Sequence, residues 1–211
     1  MHIVEATQLH ASRYADEVAE LVHATGPASY DHQFLRRELF DSMIKASWRA
    51  PHTLFGYDEA TLALDGDELL GIMIAFQGPE FLRRRKAMAK LWEPAIAAGE
   101  VRQDEASEIA RRSYVCSYLN VAIPSQVFYI HALAVKETQR GRGVGAKLLQ
   151  HAVDQGKQAG LRGLHLDVLS DTAAVNFYRA KGLACLAETV SPEALEHGVP
   201  MEMRMALDFN A

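Results

Sequence analysis

The sequence contains few cysteines, no long apolar run and no surplus of basic residues. Its two cysteines, Cys116 and Cys185, lie far apart and form no CxxC pair, so neither a disulfide framework nor a zinc site is predicted. No apolar stretch approaches the roughly 20 residues of a membrane-spanning helix, and the first residues lack the basic and apolar regions of a signal peptide. We therefore expect a cytoplasmic protein with no metal and no membrane partner.

The charge balance is acidic, with 22 Lys and Arg against 27 Asp and Glu and a formal net charge of −5. Because binding of nucleic-acid phosphates needs clustered basic residues, we expect no nucleic-acid partner. An apolar fraction of 49% over 211 residues is ample for a buried core. The chain has no internal repeat or flexible linker, so residues 1–211 are predicted to form a single domain.

The hydrophobic period changes several times along the chain and predicts a mixed α/β fold. In chain order the predicted elements are a strand at 2–7, helices at 12–25 and 29–48, a hairpin at 59–76, a helical insertion at about 79–118, a strand at 126–135, a helix at 143–160, a strand at 164–169, a helix at 171–183 and two final strands. The hairpin centres on Asp65 and Gly66, a dipeptide typical of tight β-turns. This order favours a mixed sheet with helices on both faces.

A glycine-rich segment, QRGRGVGAK, lies between an apolar strand and the helix that follows it. Its glycines and arginines are Gly141, Gly143, Gly145, Arg140 and Arg142. Residues without a Cβ allow consecutive N–H groups to point into one concavity, and the N-terminus of the following helix adds roughly half a positive charge. The segment therefore favours a site for an anionic group such as a pyrophosphate. A glycine-rich turn without a ligand is the alternative.

Two other phosphate-binding motifs fit this segment poorly. A Walker A loop requires Gly-Lys-Ser/Thr, but Lys147 follows Ala146 and precedes a leucine. A dinucleotide-binding GxGxxA pattern is matched by Gly141, Gly143 and Ala146, yet five residues, 136–140, separate the first glycine from the strand. The remaining chain is also too short for the further βαβ units of a dinucleotide-binding fold, so we disfavour both motifs.

The glycine segment resembles the first signature of the GNAT family of N-acetyltransferases. That signature is Gln/Arg-x-x-Gly-x-Gly/Ala after an apolar strand, and Arg140, Gly143 and Gly145 match it. The spacing to the next motif, one helix and one strand, also agrees with the family.

A second motif of the same family resembles the segment DTAAVNFYRAKGL. The family's helix reads approximately Asn-x-x-Ala-x-x-x-Tyr-x-x-x-Gly-Phe, and Ala174, Tyr178 and Gly182 take the matching positions. Asp171 stands in place of the Asn and Leu183 in place of the Phe. Because Asp171 is a carboxylate where the family has an amide, we assign it no cofactor contact.

The resemblance covers about 127–190 and implies the acyl-CoA N-acyltransferase fold. This is an α/β fold whose central seven-stranded-type twisted sheet is splayed at the cofactor site and carries helices on both faces. The family uses acetyl-CoA as cosubstrate and transfers its acetyl group to a primary amine of a small molecule or peptide, by direct attack through a tetrahedral intermediate. A non-catalytic acyl-CoA-binding sensor on the same fold is the alternative.

The resemblance also implies which residues contact the cofactor. Backbone groups of Leu133, Ala134 and Val135 are expected to hold the pantetheine arm. The residues expected to carry the pyrophosphate on their amides are Arg140, Gly141, Arg142, Gly143, Val144, Gly145 and Ala146. Asn176, on the later helix, is a further cofactor candidate.

Two residues are candidates for proton transfer. Tyr178 stands where the family places the acid that protonates the leaving thiolate. His131 has the same strand parity as Tyr129 and Leu133, so we expect it to face the cleft, and the pKa of histidine suits a general base. A purely structural histidine, or a reaction without a fixed base, is the alternative for His131.

The amine acceptor is expected to contact the first helices and the insertion. The aromatic candidates there are Tyr30, His32, Trp48, His52 and Tyr57. The basic run RRRK at 83–86 is predicted to be a solvated helix face, with contact to an acidic acceptor or to the 3′-phosphate of CoA as the alternative. A homodimer is a possible assembly, but the sequence does not determine the oligomeric state.

Overall fold

Seven strands form one sheet in the computed structural model of the chain, which describes residues 1–116 and 123–210. The strands are β1 (His2–Glu5), β2 (Ala60–Asp65), β3 (Glu68–Gln77), β4 (Val127–Val135), β5 (Gly163–Leu169), β6 (Ala184–Thr189) and β7 (Glu202–Asp208). The helices are α1 (Gln8–Arg13), α2 (Ala15–His23), α3 (Pro27–Gln33), α4 (Arg37–Arg49), α5 (Glu80–Ala89), α6 (Trp92–Ala97), α7 (Gln103–Val115), α8 (Val144–Gln158), α9 (Ala173–Ala180) and α10 (Pro192–Glu196). The sheet order is β1-β2-β3-β4-β5-β7-β6, with β4 and β5 parallel and the other neighbours antiparallel, which confirms the predicted mixed sheet.

Apolar side chains cover both faces of this sheet, as predicted. On one face, called the α4 face, buried residues of helices from the first half of the chain pack against β2, β3 and β4. On the other, called the α8 face, α8 and α9 pack against β4, β5 and β7. Strand β4 contributes to both cores, so its alternating residues connect the two layers.

The hairpin predicted around Asp65 and Gly66 is confirmed. Asp65 pairs with Glu68 at the end of the ladder between β2 and β3. Gly66 has a φ of 57°, a left-handed conformation that glycine adopts without steric cost. The two-residue turn therefore fixes the register in which β2 and β3 pair.

The chain before the hairpin forms four helices where two were predicted. The first predicted helix is divided at Tyr14, whose hydroxyl donates to the backbone oxygen of Asp67 at 2.9 Å. The second is divided after Phe34, where Leu35 has a left-handed φ of 63°. A leucine rarely adopts this conformation, so the apolar periodicity did not indicate the break.

Strands β4 and β5 are neighbours for only part of their length. Residues 127–130 of β4 pair with 163–166 of β5, and pairing between these two strands, both fully described, ends there. Beyond that point β4 remains paired with β3 only, and β5 remains paired with β7. The edge of β4 that faces β5 is therefore open beyond Ile130. This opening is the splay expected at a cofactor site.

A β-bulge at His131 changes which way the side chains of β4 point. The consecutive residues 74 and 75 of β3 pair with Ala132 and Ile130 of β4, so His131 is the extra residue on β4. Tyr129 and Ala132 pack in the core of the α4 face, whereas Leu133 packs in the core of the α8 face. The expectation that Tyr129 and Leu133 share one face is therefore wrong, because the bulge reverses the alternation between them.

The predicted helical insertion corresponds to α5, α6 and α7. Val101, Ala106 and Ile109 bury their side chains in the core of the α4 face. The last two residues of the prediction, 117 and 118, lie outside the described residues. No helix in the described ranges is long and apolar enough to span a bilayer.

Arg84 on α5 is buried, which contradicts the prediction of a solvated face for the RRRK run. Only 1% of this residue is exposed. Its guanidinium donates to Glu59 at 2.6 Å, to Asp58 at 3.2 Å and to the backbone oxygen of Thr53 at 3.2 Å. The two carboxylates thus form ion pairs with the buried guanidinium, and these ion pairs anchor α5 to the segment that precedes β2.

We expect the Arg84→Ala substitution to lower the free energy of unfolding by about 3 kcal/mol, because it leaves Asp58 and Glu59 without their buried cation. The neighbouring Arg83 is exposed and pairs with Glu80 on the same helix. Arg83→Ala should therefore change stability by less than about 1 kcal/mol. Urea unfolding of both variants measures the difference, and equal losses would contradict the anchoring role of Arg84.

Candidate functional site

A cavity of about 920 Å³ lies at the opening between β4 and β5. Residues of both strands line it, together with the glycine segment, α9 and helices of the α4 face. The two motifs that the sequence singled out therefore meet at one cavity, and the helices before the hairpin close it from the other side.

Most of the predicted cofactor residues line this cavity. They are Leu133, Ala134, Val135, Arg140, Gly141, Gly143, Val144, Gly145 and Ala146. Arg142 and Asn176 are exposed and do not belong to the lining. Lys181, just after α9, lines the cavity as well and was not predicted.

The glycine segment forms a tight turn that ends at the first residue before α8. Gly141 and Gly143 have φ angles of 75° and 82°, and no atom lies within 4 Å of a Cβ built on either one. The first backbone bond of the helix runs from the Lys147 N–H to the Gly143 oxygen. The N–H groups before it have no acceptor within the helix, and no side chain caps them. They are available to an anion, and Arg140 adds a positive charge at the rim.

The open edge of β4 complements this turn. Beyond Ile130 the strand keeps its hydrogen bonds to β3 but has no strand on its other side among the described residues. An extended ligand that carries amide groups satisfies such an edge in the way that an added strand does. The open edge and the anion site together fit the pantetheine arm and the pyrophosphate of coenzyme A.

Tyr178 lies on α9 with its ring in the core of the α8 face and lines the cavity. Gly182, with a φ of 87°, follows the last turn of this helix in the position predicted for it. Within the described ranges the hydroxyl of Tyr178 makes no hydrogen bond. Burial raises the pKa of Tyr178 well above its usual value. The phenol is therefore protonated at neutral pH and free to donate into the cavity.

His131 lines the cavity from the α4 face and is surrounded by aromatic rings. The ring centroids of Phe55, Phe81 and Phe76 lie 4.7, 5.8 and 5.9 Å from that of the imidazole. Its Nε2 is buried and has no hydrogen-bond partner in the described part of the chain. Burial lowers the pKa of His131 to about 4. The imidazole is neutral at pH 7, but a pKa this low makes it a weak proton acceptor.

A buried ion pair between β5 and β7 lies beside Tyr129 of β4. Arg204 donates to both oxygens of Asp167 at 2.7 Å, and the Tyr129 hydroxyl donates to the same carboxylate at 2.9 Å. The side chains of Asp167 and Arg204 are each only 5% exposed. Asp167 thus lines the cavity with its carboxylate already ion-paired to Arg204.

Glu202 is the other carboxylate in the lining, and the sequence reading missed it. Within the described ranges its side-chain carboxylate forms no hydrogen bond or ion pair. Burial, and then the nearby charge of Asp167, raise the pKa of Glu202 to about 8. The strand sequence MEMRM alternates charged and apolar residues, which places Glu202 and Arg204 on one face. That alternation was the available signal.

Apolar side chains from the first helices, the segment after α4 and the insertion form an apolar wall of the same cavity. The large ones are Tyr30, Phe34, Met43, Leu54, Phe55, Phe81, Met88, Trp92 and Ile109. Of the five predicted acceptor candidates, only Tyr30 belongs to this lining. Trp48 is fully buried in the core, His32 stacks on His197, and His52 pairs with Asp58. Arg85, from the RRRK run, does reach the cavity.

Comparison with known proteins agrees with this geometry. A sequence model of the acetyltransferase (GNAT) family matches residues 16–183. No curated protein is similar enough in sequence to count as a relative. Among solved structures, an N-acetyltransferase from Staphylococcus aureus Mu50 superposes with a TM-score of 0.72 at 16% identity, over 98% of this chain and 100% of that one.

Two further structures share the fold at similarly low identity. A polyamine N-acetyltransferase of Drosophila melanogaster, which forms N-acetylagmatine, has a TM-score of 0.64 at 13% identity over 99% of both chains. A chain of the NatC complex bound to Gag peptide and CoA has a TM-score of 0.54 at 15% identity, also over 99% of both chains. The family model spans most of the chain, including the glycine turn and Tyr178, and the seven-stranded sheet is splayed beside them. The protein belongs to the GNAT family of acetyltransferases.

Proposed function

We propose that the protein transfers the acetyl group of acetyl-CoA to a primary amine of a small molecule or peptide. The observation that carries this proposal is the open edge of β4, which lies between the anion site at the start of α8 and the buried phenol of Tyr178. The sheet combines strands from both halves of the chain, so we treat 1–211 as one catalytic domain.

The cofactor is proposed to enter along the splay. The backbone of Leu133, Ala134 and Val135 would pair with its pantetheine amides, and the turn from Arg140 to Ala146 would hold its pyrophosphate. Lys181 adds a second cation on the side of α9. A backbone N–H of β4 near Leu133 is also suited to stabilise the oxyanion that forms when the thioester is attacked.

The reaction requires a neutral amine and a proton for the leaving sulfur. An alkylamine with a pKa near 10.4 has its neutral form about 4.6 kcal/mol uphill at pH 7, so removal of its proton is a substantial part of the barrier. Tyr178 is proposed to protonate the thiolate, because its raised pKa keeps the phenol protonated. The polyamine N-acetyltransferase and the peptide-bound NatC complex named above are consistent with an amine acceptor in this fold.

Tyr178→Phe removes the hydroxyl and keeps the ring. We expect kcat to fall by roughly 100-fold, the usual size of a general-acid contribution, while the Kd of CoA changes by less than about threefold. Steady-state kinetics and calorimetric titration with CoA measure the two effects. An unchanged kcat would remove Tyr178 from the acid role.

Gly143→Val tests the anion site against a matched control at the other end of α8. Gly143 and Gly160 both have positive φ, 82° and 70°, and open space around the Cβ position. Valine at either site should destabilise the fold by about 1–2 kcal/mol through backbone strain. Only at Gly143 does the side chain enter the cavity, so only there should the Kd of CoA rise, by about tenfold or more.

Titration of CoA into both variants, alongside thermal unfolding, separates strain from binding. Equal CoA affinities in the two variants would overturn the assignment of the glycine turn. A thiol-release assay with acetyl-CoA over a panel of amines addresses the function itself. Tight CoA binding without turnover of any amine would favour the acyl-CoA sensor over the enzyme.

A further inference from the structure

We propose that Glu202 binds the ammonium group of the acceptor and takes its proton, and that the acceptor is a monoamine with an apolar body. This inference rests on the proposed acetyl transfer to an amine and names the substrate class of that same site.

Glu202 lies on the side of the sheet where an acceptor has room. It starts β7 and pairs with Leu169 at the end of β5. Met203 and Met205 of β7 pack in the core of the α8 face. Because strand residues alternate, Glu202 and Arg204 lie on the opposite face, in the cavity that the first helices close. The carboxylate is thus across the sheet from α8 and α9.

Glu202 is the carboxylate of the cavity lining that has no ion-pair partner among the described residues, and the charge of Arg204 offsets only part of the rise in its pKa that burial and Asp167 cause. The titratable and charged groups that face it are Asp167, Arg204, Tyr129, Tyr30 and Cys116. Burial chiefly, and nearby carboxylates including Glu202 further, raise the pKa values of Tyr30, Tyr129 and Cys116. Arg204 is bound at both oxygens of Asp167. A cationic ligand would therefore find its free carboxylate at Glu202.

Burial also raises the pKa of Glu202 into the range in which a carboxylate can take a proton from an ammonium group. Its pKa of about 8 is well above the ordinary value of 4.5. A base works best when its pKa lies near the working pH. The approach of an ammonium group favours the ionised carboxylate, so binding of the acceptor and ionisation of Glu202 promote one another. His131, with a pKa of about 4, lacks this match.

The lining of the cavity favours an acceptor that has one cationic group and is otherwise apolar. Asp167 and Glu202 are the only carboxylates among the described lining residues, and the sequence of 117–122 contains no acid. The apolar wall of the cavity is built from aromatic and aliphatic side chains, with Arg85 as its charged member. A second ammonium or guanidinium group would lose its hydration there without gaining a carboxylate. An aromatic or aliphatic body gains from the same burial.

The proton and bond changes balance with Glu202 in this role. The bound ammonium gives one proton to the carboxylate, and the nitrogen lone pair then forms the bond to the thioester carbon. The carbon–sulfur bond breaks, and Tyr178 protonates the sulfur. The nitrogen loses a second proton as the amide forms, which restores the phenol, and Glu202 returns its proton to water. One ammonium and one thioester become one amide, one thiol and one proton.

The acceptor class is tested with the wild-type protein, acetyl-CoA and four amines. Phenethylamine and tryptamine carry one cation and an apolar body, whereas agmatine and spermidine carry further cationic groups. We expect kcat/KM to be at least about tenfold higher for the first pair. Equal or higher values for agmatine or spermidine would overturn the monoamine assignment.

Glu202→Gln tests the carboxylate, with Glu188→Gln on exposed β6 as the control. In the wild type, kcat/KM for phenethylamine should rise with pH to a bend near 8, where Glu202 ionises, and fall again at higher pH as the free amine loses the proton that Glu202 binds. The Gln variant should lose the bend near 8 and about 100-fold in kcat/KM at pH 8, and Glu202→Asp should recover part of that loss. The Glu188 variant should match the wild type.

The same variants show whether burial of the Glu202 carboxyl group destabilises the fold at neutral pH. A carboxyl group whose pKa is 4.5 when unfolded and about 8 when folded favours unfolding increasingly as pH rises between those values. Glu202→Gln should therefore raise Tm, by an amount that grows from pH 5 to pH 8, and Glu188→Gln should not. A Tm difference that is flat across this range would contradict the buried state of Glu202.

The transferase function and the role of Glu202 are contradicted by different results. If the wild type acetylates no amine at all, the proposed transferase function is overturned. If it acetylates amines, and Glu202→Gln keeps both the rate and the bend near pH 8, only the role of Glu202 is overturned.

Discussion

The site depends on the early end of pairing between β4 and β5. Four residue pairs hold these parallel strands together, and beyond Ile130 the strands follow different partners. Backbone groups left without a strand partner in a sheet are normally costly when they are shielded from water. Here they border a cavity, where a ligand with amides of its own would supply the missing bonds. The open edge of β4 and the acidic residues of β5 and β7 both lie where the two strands part.

The remaining elements are placed relative to that opening. Helix α8 begins at its rim, since Gly141 and Gly143 turn the chain sharply enough to aim the helix N-terminus into it. Helix α9 covers one side and presents Tyr178. The buried ion pair of Arg84 secures α5 on the opposite side, where the apolar wall stands. The glycine turn with Arg140 lies at one end of the cavity, and the carboxylate of Glu202 lies at the other. The cavity is therefore positive where phosphate is expected and acidic where an amine is expected.

The features that the sequence predicted well are those decided within a short stretch of chain. The turn at Gly66, the glycine segment and the helix of Tyr178 each follow from local residue types. Glu202 was missed because its importance depends on β7 lying beside β5, a contact between strands that are distant in the sequence. The divided helices at Leu35 and the burial of Arg84 were likewise missed. In each case packing against distant residues overrode what periodicity and charge favoured.

The bulge at His131 divides β4 into two stretches with opposite side-chain parity. Before it, Tyr129 packs on the α4 face and Ile130 on the α8 face, and after it, Ala132 and Ala134 pack on the α4 face and Leu133 and Val135 on the α8 face. Without the bulge, the same sequence would keep one parity along its whole length and would place Leu133 and Val135 on the α4 face. With the bulge, the stretch beside the open edge presents only the methyl groups of Ala132 and Ala134 to the cavity on the α4 face. The bulge therefore leaves room there that larger side chains would fill.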